Sequence, residues 1–549
     1  MNEPQETLYR QIFAYHQATK HSFERYARSA GYMDWENQPV PFRFYEGCRK
    51  IALPFLKTDP AASHLQLYCN DAPAAQICRE HLAGLCELSM GLSAWKALGD
   101  NRWSLRINPS SGNLHPTELY LLLPQLNQIP AGVYHYSPWH HALELRTRLP
   151  ADFWQNLEQH FDAPVFLAAF SSIFWRESWK YGERAWRYCN HDAGHAVAAL
   201  RFAAGLWGWQ VTYLDGVSDR QVADLLGFGQ TQWPGEEPEH PDLICALHDP
   251  SVGRLRRTLP SSLSNLVSGL PFDGRPNQLS RTPVRWEVID NVADLTRKPE
   301  TAAEDVELDA PPLIESPQSN LTAADIIRRR RSALAFDPEG TIDLAVFRAL
   351  MDRTLPRDGC APFDVRIGDP QVHLLLFVHN IETLPRGLYL LVRNPAHFEA
   401  LRHAMHADFL WESVPECEMP LYRLQPGDFR HRAARLSCGQ DIAGDSVFSL
   451  GMLARFRETL LSGPYRYRHL FWETGMIGQA LYLEAEAQGL RGTGIGCYFD
   501  DPVHELVGLE GDRWQSLYHF TVGHPVEDPR LSTLPPYHHL TDADGNERR

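Results

Sequence analysis

The chain has 549 residues, 44% of them hydrophobic and 22% charged, with a formal net charge of −16. The length allows two or three globular domains, and the composition is ordinary for them. The acidic balance, with no Lys/Arg block beyond Arg328–Arg331, argues against a broad nucleic-acid surface, and no stretch nears the roughly 18 apolar residues of a membrane span.

In chain order, the polar start MNEPQETLYRQ lacks the apolar segment of a signal peptide, and residues Glu3 to Gly47 read as a short helix and an extended aromatic arm. A helical stretch is expected over Ala74–Leu98, then the loop RINPSSGNLHP, then a strand over Glu118–Pro124. The alternating Ala131–Arg146 segment predicts a further strand or hairpin. Gly194–Gly208 is apolar on almost every face, which predicts a helix buried on all sides. A strand and short helix follow, and the unit closes near Leu259. Pro260–Asn320, acidic and Pro-rich in its second half, reads as a connector wrapped over the first domain and then loose. Helices at Thr322–Arg331 and Leu344–Arg353 flank a turn at Asp337–Gly340 and open a second unit, whose polar tail His538–Arg549 is expected to fray. The ten cysteines show neither CxxC nor zinc-ligand spacing and read as reduced thiols of a cytoplasmic protein.

The two units repeat one pattern. Gly194–Leu226 laid over Gly475–Val507 without a gap puts Gly194 on Gly475 and Gly208 on Gly489, and just beyond puts Gly227 on Gly508. Glu118–Tyr136 likewise matches His373–Leu391. Two repeats of this size point to duplication of a whole domain rather than to a solenoid.

Several motifs could carry chemistry. Pro109–Asn113 (PSSGN) offers backbone N–H groups and hydroxyls to a phosphate or ring carbonyl, or is a simple Ser/Gly turn. Arg330, Arg331 and Ser332 end a helix, as phosphate ligands or as a solvated basic helix end. Gly492, Gly494 and Gly496 alternate in GTGIG; with a helix before and a strand after, they do not form a dinucleotide fingerprint but can line a flat ring. His191 and His195 have the i, i+4 spacing of helical zinc ligands, but the HExxH glutamate and a third ligand are missing, so no metal is expected. Cys438 and Gln440 either line a pocket or belong to the core.

Together, the segments YHQATKHS, DWENQPVPFRFYEG, RINPSSGNLHPTELYL, GVYHYSP, KYGERAWRY, DAGH and GRPNQLS in the first half, and RRS, SCGQDIA, GTGIGCYFDD and TVGHP in the second, resemble the nitroreductase superfamily of flavin enzymes, in the SagB-type dehydrogenase branch that oxidises azolines to azoles. The resemblance implies an α+β fold: two tandem nitroreductase-like domains, each a mixed sheet flanked by helices, forming an intrachain pseudo-dimer. The domains would span residues 1–260 and 321–549, joined by a connector over 261–320. It also implies FMN between the domains, with Arg330, Arg331 and Ser332 on the phosphate, Gly492, Thr493 and Gly494 beside the ring, Arg530 as a further phosphate ligand, and Pro109, Ser110, Ser111, Gly112 and Asn113 contributed by the other domain. The family's further arginine after RRS is Leu334 here.

Lys180 and Tyr181 match the family's acid/base pair, aligned with Leu461 and Ser462 in the second copy. A lysine amine is protonated near neutral pH unless burial or neighbouring cations depress its pKa, and Arg184 and Arg187 are the expected cations. Without the resemblance, the pair reads equally as a surface lysine beside a packed tyrosine.

The implied function is FMN-dependent dehydrogenation of a small-molecule or peptide-derived substrate, with hydride passing to flavin N5 and O2 as oxidant. The alternatives are an NAD(P)H-dependent reductase of nitro, quinone or enone compounds, and an inactive scaffold. PSSGN occurs only in the first half and RRS with GTGIG only in the second, with DVRIG (Asp364–Gly368) and VTYLD (Val211–Asp215) at the complementary positions. One complete and one ruined site are therefore expected, in a chain that can act as a monomer.

Overall fold

The computed structural model describes residues 3–69, 72–306, 308 and 310–540. Its architecture is two seven-stranded sheets of matching order. The first runs Arg49–Ala52, Ala142–Arg148, Gly132–Ser137, Thr117–Leu123, Val165–Ser172, His240–His248, Gln210–Tyr213. The second runs Glu412–Ser413, Leu421–Pro426, Gly387–Leu391, Val372–Val378, Phe448–Arg455, Trp514–Gly523, Arg491–Ile495. The ladders within both sheets are antiparallel. Parallel pairing enters the second sheet through a single bridge, Ser332 to Gly492, which ties the end of the Arg-Ser segment to the glycine-rich edge strand.

The sequence repeat is visible in the packing. The helix Ala185–Gly205, buried along its whole length, crosses its counterpart Arg466–Ala487 between the sheets. The crossing point is the aligned glycine pair. A Cβ on Gly194 would stand 2.2 Å from Trp472 O, and one on Gly475 2.2 Å from His191 O. The pair lets two helix backbones touch where any side chain would force them apart. The other aligned glycines also serve equivalent purposes: Gly227 and Gly508 cap matching helices at φ 71° and 76°.

The chain ends are exchanged between the halves. The N-terminal helix Glu3–Ala18 leaves the first domain to pack Phe13 and His16 on Phe456, and His16 bonds Tyr467 and Gln515. In return, Ser532–Leu534 adds a strand to Leu92–Leu98 of the first domain.

Four sequence expectations are corrected. The helix expected over Ala74–Leu98 is a helix only at Arg79–Ser89; Leu92–Leu98 is a strand, because Asn101–Arg106 and the distant C-terminal strand pair with it. The connector wraps the first domain, its Arg275–Pro276 strand pairing with Tyr45–Glu46, but its second half is not loose: the carbonyls of Glu304, Pro311 and Pro317 accept from Arg257, Arg357 and Gln488. His538 and His539 do not fray but pack their rings on Trp95 and Trp139; residues 541–549 of that tail lie outside the described residues. The cysteines are not all reduced thiols, because Cys69 and Cys360 form a disulfide across 291 residues of sequence.

Candidate active site

One cleft of about 460 Å³ opens between the halves, walled by the Pro109–Asn113 loop on one side and by Arg330–Ser332 and Thr493–Gly494 on the other. The loop is held from beneath. Ser111 donates its N–H to Asp192 Oδ1 and Oδ2 at 3.1 and 3.2 Å and its hydroxyl to Oδ1 at 3.1 Å, while Asn113 donates to Ser104 O at 2.9 Å. Gly112 sits at φ 59°, and a Cβ there would lie 2.6 Å from Tyr181 Oη and 3.2 Å from Lys180 Nζ. The bare glycine is what admits both groups.

The opposite wall is organised by Tyr482. Its hydroxyl accepts the Gly494 N–H at 2.9 Å and shares a 2.8 Å hydrogen bond with Ser332 Oγ, while the Arg330 guanidinium lies 5.2 Å above its ring. Thr493 Oγ1 donates to Ala333 O at 2.9 Å. Gly492 is not in the wall: it packs behind the strand against Phe520 and pairs with Ser332.

The site is cationic at one end, where Lys96, Arg330, Arg331 and Arg491 line it. Arg330 reaches Arg106 O, and its Nε is buried without a partner. Arg331 donates to the carbonyls of Arg328, Arg330 and Ser93. Among the described residues no carboxylate lies within ion-pair distance of either. Burial, reinforced by Arg330 and Arg491, lowers Arg331 to about 10. Two crowded guanidiniums with an orphaned donor fit an anion such as a phosphate, and the uncovered backbone at Gly494 fits a flat ring.

The other end carries the protonic groups. Tyr181 fronts the cleft, whereas Lys180, half-buried, stands behind Gly112. Burial pushes Tyr181 well above its ordinary value. Burial raises the pocket-lining Asp192 to about 7, against the Ser110 and Ser111 hydrogen bonds. Glu177 is raised well above the carboxylate range, by burial and then by Asp192. His195 donates Nδ1–H to Gln479 and accepts from Tyr518, and burial keeps it neutral with a value near 3. Its neighbour His191 bonds Thr474 and stacks on Tyr518, and the described residues hold no cluster suited to a metal ion.

Two further expectations change. Arg184 and Arg187, expected as the cations beside Lys180, pair instead with Asp500 at 3.0 and 2.8 Å. Arg530 is not brought to the cleft but is exposed and paired with Asp528 at 2.7 Å. The sequence reading missed Asp192, Tyr188, Tyr482 and Tyr518 in the wall; of these Tyr188 lay in the motif KYGERAWRY and Asp192 in DAGH, either of which could have signalled it.

The complementary interface is rebuilt with other side chains and keeps cavities of about 450 and 400 Å³, the first lined by Gln210, Thr212, Asp364 and Arg366, the second by Gly368, Ser462, His469 and Glu473. Tyr213, aligned with Gly494, buries its ring against Trp472 and reaches His469. Asp364, aligned with Pro109, binds the Arg201 guanidinium at 2.7 and 2.9 Å. These side chains stand where the first cleft has Gly494 and Pro109, so the two interfaces differ in their lining.

The fold is thus a duplicated α+β architecture with a cleft lined by residues of both halves. The nitroreductase family model matches residues 80–234 and 327–524, more than half of the chain, which belongs to this family. The chain is similar in fold to a nitroreductase candidate from Anabaena variabilis, at 22% identity, TM-score 0.70, and coverage of 94% of this chain and 99% of that one. Partial similarities extend to the E. coli microcin synthetase McbBCD complex with truncated pro-MccB17 bound (19% identity, TM-score 0.26, 45% of this chain and 94% of that one) and to the NADPH:FMN oxidoreductase from Vibrio harveyi complexed with NAD+ (22% identity, TM-score 0.17, 22% and 56%). No curated protein matches the chain.

Proposed function

We propose that the chain is an FMN-dependent dehydrogenase of the SagB type, acting on a small-molecule or peptide-derived substrate at one composite site. The observation that carries this reading is the meeting of Lys180 and Tyr181 at Gly112, beside buried Asp192 and across the cleft from Thr493–Gly494. When bound, FMN would supply the two-electron chemistry, taking hydride equivalents from substrate and passing them to O2.

The residues divide the remaining work. Arg330, Arg331 and Ser332 would hold the phosphate, and the Thr493–Gly494 backbone would line the ring. The Ser110–Asn113 loop closes the other side, positioned by the Ser111 bonds to Asp192. Dehydrogenation also releases a proton beside the carbon that loses hydride. Tyr181, held in its phenol form by burial, relays that proton rather than waiting as a phenolate. Asp192, with a value near 7, can hold a proton and release it close to neutral pH. Lys180 stands against the back of the loop, its Nζ beside Gly112.

The test is the absorbance spectrum of the purified full chain, with the released cofactor identified by mass, followed by anaerobic mixing with candidate substrates. Flavin absorbance with FMN mass supports the reading; no flavin after reconstitution overturns it. Bleaching by NAD(P)H with turnover independent of Lys180 would replace it with the reductase alternative.

A further inference from the structure

We propose that Cys438 and Cys497 form a redox-active pair that cycles between dithiol and disulfide by exchange with a low-molecular-weight disulfide. Their Sγ atoms lie 2.7 Å apart although 59 residues separate them in sequence. The two segments are bolted together on both sides of the pair: Phe499 N donates to Leu436 O at 2.8 Å, and Gln440 Nε2 donates to Cys497 O at 3.1 Å. Between these bolts Cys438 adopts φ 57°, a left-handed conformation that a non-glycine residue keeps only where its surroundings enforce it. The thiols are thus held in contact by backbone structure rather than by chance packing.

Both thiols are half-buried rather than sealed, and Cys497 is part of the cleft wall beside Gly496 and Gln440. The surroundings divide the labour between them. His21 Nδ1 accepts the Ala27 N–H at 2.9 Å, so the ring's own N–H remains on the other nitrogen, and the imidazole hydrogen-bonds Cys497. The Cys438 S–H, then His21 and Arg184, hold the Cys497 thiol below its ordinary value against the opposing effect of burial. Cys438 is raised, as are the buried Cys86, Cys189, Cys245 and Cys417. Cys497 therefore supplies the thiolate nucleophile and Cys438 the resolving thiol.

The exchange balances without another reagent. The Cys497 thiolate attacks one sulfur of the external disulfide, forming a mixed disulfide and expelling one thiolate. Cys438 then gives up its proton and attacks Cys497 Sγ, expelling the second thiolate. Two protein thiols are oxidised, one external disulfide is reduced to two thiols, and the released proton is shared among the products. No step needs flavin, so this proposal and the FMN assignment fail separately.

The experiment treats the reduced, desalted full chain with oxidised glutathione at neutral pH, blocks remaining thiols, and maps the peptides by mass. A Cys438–Cys497 cross-link is expected, forming about tenfold or more faster than glutathione adducts on half-buried Cys48 and Cys78. Cys438→Ser should stall as a glutathione adduct on Cys497, and Cys497→Ser should give neither product. Wild-type protein exposed to substoichiometric iodoacetamide at mildly acidic pH should label Cys497 first, a readout that needs no variant to fold. Absence of the cross-link, or labelling of Cys497 no faster than Cys78, would overturn the proposal.

Discussion

Asp192 Oδ1 accepts both the backbone N–H and the hydroxyl of Ser111, each at 3.1 Å, beneath the loop that forms one wall of the cleft. The carboxylate thus serves two ends, fixing the loop and sitting where a proton must be handled.

That position predicts a pH signature. Burial raises Asp192 from the ordinary carboxylate value of about 3.9 to about 7, so between these values the folded chain binds a proton that the unfolded chain has lost. Stability from this group is full below about pH 4 and declines as pH rises through about 7. Asp192→Asn, which cannot ionise, should gain on wild type by a few kcal/mol between pH 5 and pH 8 in urea unfolding. An unchanged difference at the two pH values would show that Asp192 does not titrate in this window.

Stoichiometry follows from the altered lining of the second interface. Tyr213 and the Arg201–Asp364 pair stand where the first cleft has Gly494 and Pro109. One FMN per chain is expected by absorbance against protein mass after reconstitution. Two equivalents would disprove the composite-site reading.

Arg331→Ala should weaken FMN binding by about 1.5–3 kcal/mol, the scale of a hydrogen bond to a charged group. Riboflavin, which lacks the phosphate, should bind almost unchanged. Equal losses for both ligands in parallel titrations would make Arg331 a structural residue, consistent with its three carbonyl contacts.

Lys180→Ala and Tyr181→Phe should leave the flavin spectrum and the melting temperature close to wild type while substrate turnover falls about 10²–10⁴-fold. Dithionite reduction should be unaffected, because it bypasses the substrate proton. Ser462, aligned with Tyr181 in the second copy, is the internal control, and Ser462→Ala should change turnover little. Normal turnover in both Lys180→Ala and Tyr181→Phe would remove the pair from the chemistry.

The helix crossing gives a stability prediction independent of function. Gly475→Ala would place a methyl group 2.2 Å from His191 O and 2.9 Å from Gly194 Cα, contacts that only backbone movement can relieve. A loss of about 3 kcal/mol is expected in denaturant unfolding, at the upper end of overpacking costs. A wild-type midpoint would mean that the two long helices are free to separate.

Local pattern was enough to read part of this molecule. The Gly194–Gly208 run, apolar on almost every face, announced a buried helix, the alternating Ala131–Arg146 segment a hairpin, and the glycines at 194 and 475 a duplicated unit, because burial and glycine's missing side chain leave their mark in the residues themselves. The family resemblance, read onto the residues, implied that Pro109–Asn113 in one half complements Arg330–Ser332 and Thr493–Gly494 in the other. Tertiary structure decided what depends on partners far away in the chain. Leu92–Leu98 is a strand paired on one edge with the adjacent Asn101–Arg106 and on the other with residues more than 400 positions later, and Cys69 meets Cys360 across 291 residues. Arg184 and Arg187 turned to Asp500 rather than Lys180, and Asp192, Tyr482 and Cys497 acquired their places in the cleft only when the halves closed on each other. Hydrogen bonds, ion pairs and desolvation depend on distances of a few ångströms, and no spacing along the sequence sets those distances between two domains.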